Sequence, residues 1–103
     1  MKNILQTAKK YVSSVEKSGI PVSKAYLFGS YAKKKERKDS DIDICIVSPI
    51  FGKDYFDENV RLRSLTLDVD FRIEPVAFNP FDINDKYDSL ASEIKKHGII
   101  LTS

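Results

Sequence analysis

Residues 27–48 read LFGSYAKKKERKDSDIDICIVS. The stretch contains two strands and the turn between them. Ala25-Tyr26-Leu27-Phe28 is a short apolar run that stops at Gly29-Ser30, as a buried strand does. From Asp41 to Val47 the residues alternate strictly. Ile42, Ile44 and Ile46 fall on one face, and Asp41, Asp43, Cys45 and Val47 on the other. That period, with its β-branched content, is a strand signature, and Ser48-Pro49 ends it. Between the strands, Tyr31 to about Lys35 is expected to form a short helix, followed by a charged loop to Ser40.

On the N-terminal side, residues 2–18 read as an amphipathic helix. Ile4, Leu5, Ala8, Tyr11, Val12 and Val15 recur at helical spacing, and Gly19 is placed to end it before Pro21. On the C-terminal side, Lys53 to Leu67 is expected to be helical, with Phe56, Val60, Leu62 and Leu67 as core candidates. Val69 to Phe78 alternates and reads as a third strand, broken by Asn79-Pro80. Ile83, Tyr87, Leu90 and Ile94 mark a last helix closed by Gly98, and Ile99 to Leu101 reads as a final extended segment. The resulting α/β order implies a small sheet of three to four strands with helices packed on it, in one domain spanning 1–103.

Composition narrows the function classes. The chain has 103 residues, enough for one core. Hydrophobic residues make up 42% and charged residues 31%, as in ordinary globular domains. A formal charge of +2 is too even to argue for a nucleic-acid binder. Five of the six residues from Lys33 to Lys38 are basic, but no aromatic interrupts them to stack a base, so a solvated loop is the better reading. The single cysteine, Cys45, excludes an intrachain disulfide and reads as a small core residue. No apolar run approaches the ~20 residues that span a bilayer, and Met1 to Lys10 lacks a signal-peptide core. A cytoplasmic protein with no membrane partner is expected.

The chemistry concentrates at the strand ends. Gly29 permits a sharp turn, and Ser30 follows at an expected helix start, where backbone N–H groups favour phosphate. Alone, such a turn is more often geometry than a site. Asp41 and Asp43, two apart on a strand, point to the same side. Paired carboxylates repel unless solvated or bridged by cations, and Mg²⁺ is typically held by one or two carboxylates plus substrate phosphates. Cys45 and Val47 continue that face, so the pair sits where the strand leaves the core. Two-metal phosphoryl chemistry calls for a third carboxylate from a neighbouring strand. Asp70 and Glu74 are both available on the third strand, with Arg72 between them.

Gly29-Ser30, ten intervening residues, then Asp41-Ile42-Asp43 resembles the signature of the polymerase-beta-type nucleotidyltransferases, and more narrowly the minimal nucleotidyltransferases (MNT proteins). The resemblance implies the nucleotidyltransferase fold with a mixed sheet. It implies that Gly29 and Ser30 contact nucleotide phosphates, and that Asp41 and Asp43 bind Mg²⁺ or Mn²⁺. It favours Glu74 as the third catalytic and metal-binding carboxylate, with Asp70 as runner-up. Two departures stand out. The family usually has Asp at the third position, and often Gly where this chain has Lys34. Lys33 keeps a cation where the family tends to have one.

The activity so implied is transfer of a nucleoside monophosphate, AMP, from an NTP such as ATP to an acceptor hydroxyl, releasing pyrophosphate. Minimal members are often encoded beside a helical HEPN-type partner, so the resemblance also implies an antitoxin role. The chain would modify that partner or neutralise it by docking alone; a catalytically silent nucleotide-binding domain is a third reading. A chain this small is also open to homo-oligomerisation. Tyr11, Tyr26 and Tyr87 are expected in the core, Tyr31 is placed to flank a nucleotide base, and His97 suits a helix C-terminus.

Overall fold

The structure, a computed structural model, describes residues 2–37 and 39–102. Lys38, the end of the basic run, lies outside the described residues, as do Met1 and Ser103. Four strands form one mixed sheet: β1 (Lys24–Phe28), β2 (Ile42–Val47), β3 (Ile73–Phe78) and β4 (Ile99–Ile100). Their order across the sheet is β3-β2-β1-β4. β1 pairs antiparallel with β2 and with β4, while β2 and β3 are parallel. The parallel pair requires a crossover, supplied by helix α2 (Tyr55–Leu65). Helices α1 (Lys2–Lys17) and α3 (Ser89–His97) complete the fold.

β2 is covered on both faces, and its strict alternation divides the core in two. Ile42, Ile44 and Ile46 pack with Ile4, Ala8, Tyr11, Val12 and Val15 of α1 and Leu62 of α2. Cys45 and Val47 pack on the other side with Ala91 and Ile94 of α3. Each isoleucine so buried contributes about 1.5–3 kcal/mol. Tyr11 carries its hydroxyl inward and donates to the Leu62 carbonyl at 2.6 Å, which ties α1 to α2. Burial pushes the Cys45 thiol up to about 12, so it is an inert core group, as expected.

Four expectations fail for local reasons. Residues 31–35 form hydrogen-bonded turns rather than a helix, because Lys34 adopts φ +57, the left-handed region that ends helical propagation. β3 begins at Ile73, not Val69. The Asp70 carboxylate accepts from the Arg72 N–H at 2.9 Å and also from its guanidinium, folding 69–72 into a turn. Of the core residues expected in this segment only Leu62 is buried, while Phe56 and Val60 of α2, and Leu67 in the turn of 3-10 helix that follows it (Thr66–Asp68), are exposed. The helix turns its Tyr55–Asn59–Leu62 stripe inward, and Asn59 is fixed there by hydrogen bonds to β3 and to its own helix. Finally, Asp88 caps α3 by accepting from the Ala91 N–H at 3.0 Å. The helix therefore starts after Tyr87, which is left exposed rather than in the core.

Candidate active site

The site residues gather where β1 ends and where β2 and β3 begin. Phe28 is the register partner of Asp43, and Asp43 is the register partner of Glu74. Three neighbouring strands, β1, β2 and β3, thus bring Gly29, Asp43 and Glu74 side by side, although they are far apart in sequence. Gly29 is fixed by two independent demands. Its φ is +72, and a Cβ there would stand 2.1 Å from Asp43 Oδ2. The Asp43 carboxylate therefore lies directly against the Gly29 backbone, an approach only glycine allows. Ser30 follows, half-buried, with its carbonyl accepting from the Lys35 N–H at 2.9 Å.

Asp41 is exposed at the mouth of β2. The neighbouring Ile42 N–H donates to the Arg72 carbonyl at 2.9 Å, which fixes where β2 and β3 start. Asp43 is half-buried, and its carboxyl is pushed up to about 6. Burial is the largest cause, followed by the charges of Asp41, Glu74 and Glu93. Two cations stand at the rim. Arg63 of α2 holds Glu74: Nη2 donates to Oε2, and Nη1 lies 3.5 Å from Oε1. Lys33 Nζ pairs with Glu93 of α3 at 2.7 Å. A cleft of about 530 Å³ opens beside Asp41, lined by Asp39, Phe71 and Arg72.

The donor set is all oxygen, which suits a hard divalent cation. Charge argues the same way, since Asp43 is held above its ordinary range first by burial and then by the negative charges of Asp41, Glu74 and Glu93, all of which a bound cation would offset. Among the described residues, no three Asp, Glu, His or Cys side chains already stand together as a cation cage. Glu74 faces Arg63 instead, so its carboxylate must turn from the guanidinium to join Asp41 and Asp43.

The two candidates for a third carboxylate stand in different places. Glu74 stands beside Asp43, whereas Asp70 sits in the turn before β3 and is held low by the Arg72 guanidinium. Tyr31 is 6% exposed and belongs to the core, so it does not flank a base. Lys33 is paired with Glu93. His97 ends α3, exposed. Arg63 and Glu93 were missing from the sequence reading. They come from helices on opposite faces of the sheet, and no local motif announces them.

The family model for the nucleotidyltransferase domain matches residues 5–101 of the chain. Among solved structures, the chain is similar to a suggested nucleotidyltransferase from Sulfolobus solfataricus, with 21% identity and a TM-score of 0.69 over 95% of this chain and 78% of that one. It is also similar to a chain of a toxin–antitoxin solved with AMP-PNP (22% identity, TM-score 0.58, 92% of this chain and 73% of that one). A third likeness is to a chain of the toxin–antitoxin MntA–HpeT carrying two Asp→Glu substitutions (21% identity, TM-score 0.60, 93% and 72%). At these identities the solved structures establish the fold. No curated protein matches the chain.

Proposed function

The chain belongs to the nucleotidyltransferase domain family, and on that premise we propose that it transfers AMP from ATP to a hydroxyl on a partner protein. Asp41, Asp43 and Glu74 are the residues that would hold Mg²⁺ or Mn²⁺, and Gly29 and Ser30 would face the nucleotide phosphates. A divalent cation bound there supplies charge neutralisation for phosphoryl transfer. The acceptor oxygen forms a bond to the α-phosphorus as the bond to pyrophosphate breaks, and the acceptor proton passes to the Glu74 carboxylate. Asp41 and Asp43 would hold the cation in their ionised form, Gly29 leaves room for the Asp43 carboxylate, and the backbone N–H groups of the turn after β1 would face the phosphates. The observation that carries this reading is the alignment of Gly29, Asp43 and Glu74 across three neighbouring strands. The AMP-PNP present in one similar complex supports ATP as the donor.

A second reading, neutralisation of a HEPN-type partner by docking alone, is favoured by a separate observation. Phe56 is 77% exposed and Phe71 85% exposed, with Val60 and Leu67 also open to solvent. Apolar side chains left outside on this scale mark interaction surfaces. The two readings part on one experiment. The chain is incubated with Mg²⁺, ATP and the protein encoded beside it, and intact masses of both are recorded. A gain of nucleoside monophosphate units, absent with Asp41→Asn/Asp43→Asn, is the expected result. A stable complex formed equally by the double mutant, with no mass gain, would replace transfer by docking.

A further inference from the structure

Four carboxylates bear on the site: Asp41, Asp43, Glu74 and Glu93. Two cations of the fold pair with two of them. Lys33 pairs with Glu93, and Arg63 with Glu74. The remaining pair, Asp41 and Asp43, carries two negative charges when ionised, which one divalent cation balances. Glu74 is in a different state. Its carboxylate is held by the fork of an arginine that projects from α2, an element that otherwise only packs the sheet. Arg63 also feels Asp41. A carboxylate paired in this way is oriented by the guanidinium and shares its charge with it, which weakens it as a ligand for a cation beside Asp41 and Asp43.

Resting on the metal reading above, we propose that Arg63 is a latch: it holds Glu74 off the cation site until metal and triphosphate together offer the guanidinium a better partner. On release, Glu74 turns to the cation and the acceptor, and Arg63 turns to the phosphates, for which its planar fork is equally suited. The pair is well placed to open. The Arg63 side chain is 59% exposed and Glu74 40%, so breaking the contact buries no orphan charge. The geometry also explains why the described carboxylates do not already form a three-ligand cage. Arg63 is then a positioning residue. It acts on the reaction through Glu74 and sets how many ligands the site offers a cation.

The test is Mn²⁺ alone, without nucleotide, followed by electron paramagnetic resonance or calorimetry on the full chain. Four proteins are compared: wild type, Arg63→Gln, Glu74→Gln and the Arg63→Gln/Glu74→Gln pair. Wild type should bind one Mn²⁺. Arg63→Gln should bind it about tenfold more tightly, the effect of roughly one added ligand, about 1.4 kcal/mol. In the Glu74→Gln background the same arginine change should gain far less, only what removing a positive charge near Asp41 gives. Two results would overturn the latch: an Arg63→Gln affinity equal to or below wild type, or a gain that is as large without Glu74. The second would mean that Arg63 acts only by its charge near Asp41. If neither wild type nor Arg63→Gln binds Mn²⁺, the metal reading itself falls, and the latch with it. Arg63 is exposed on a helix surface, and matched thermal melts of the four proteins confirm that affinity, and not folding, is being compared.

Discussion

Asp43 carries the main electrostatic cost of the site. Its carboxyl is raised from 3.8 to about 6 by burial and by Asp41, Glu74 and Glu93. A raised carboxylate favours the fold while protonated. Its contribution is therefore present below the unfolded value and is lost as pH rises through about 6. Discounted for solvent screening, the loss is on the order of 1–2 kcal/mol. Asp43→Asn removes the ionisation while keeping the shape. In EDTA, denaturant unfolding should find the mutant more stable than wild type by that amount at pH 8, and the gap should close near pH 4. A gap independent of pH would remove the electrostatic account. At this scale much of the candidate site was legible, because Gly29 and the Asp41–Asp43 pair sit within one continuous stretch. The third carboxylate was not fixed by pattern alone, because Asp70 and Glu74 share a period-two face. What separates them is the Asp70–Arg72 bonding that turns the chain before β3. Lys34 is a departure with a visible consequence. Where the resemblance expects glycine, a lysine takes φ +57, at a cost of roughly 1–2 kcal/mol.

The element that decides the shape of the sheet is β3, because it lies at an edge. Residues 74, 76 and 78 face β2, so the backbone groups of 73, 75 and 77 point outward. Each outward position is closed. The Ile73 N–H donates to the Asp70 carbonyl at 3.2 Å, Pro75 has no N–H, and the Ala77 N–H donates to Asn59 Oδ1 at 3.1 Å. The edge therefore offers no ladder to another strand. Asn59→Ala should cost about 1–2 kcal/mol, read from urea unfolding, because it strands the half-covered Ala77 N–H. Asn59→Asp, which keeps the acceptor, should lose less. Equal losses in the two variants would mean that the side-chain amide, and not the edge bond, is what matters. α1 and β2 were legible because their apolar positions follow one clear period, and β1 because it is a short apolar run that stops at a glycine turn. α2 was legible as a helix but not in its orientation. Phe56 and Val60 offer a more apolar stripe than the inward-facing Tyr55, Asn59 and Leu62, of which only Leu62 is fully buried, so apolar periodicity points to the wrong face.

Across the whole molecule, the sheet separates α1 and α2 from α3, and the site draws on both sides: Arg63 from one layer and Glu93 from the other. The exposed stripe of α2 lies on the same helix that carries Arg63, so a partner seated on Phe56 and Val60 would sit next to the arginine that grips Glu74. The exposed apolar stripe and the candidate carboxylates are then neighbours on one surface. Phe56→Ser/Leu67→Ser tests this directly. Both side chains are exposed, so stability should stay within about 0.5 kcal/mol of wild type for each change. Leu62→Ala, on the buried stripe of the same segment, should instead cost about 2–5 kcal/mol. Affinity for the neighbouring protein, measured by calorimetry, should fall about 30-fold or more in the serine mutant, since anchors of this size typically contribute about 2 kcal/mol or more to an interface. Mn²⁺ binding should be unchanged, because neither residue touches a site carboxylate. Unaltered partner affinity would assign the stripe no role in docking. A fall in Mn²⁺ binding would show that the outer face of α2 and the carboxylates are coupled through the helix itself.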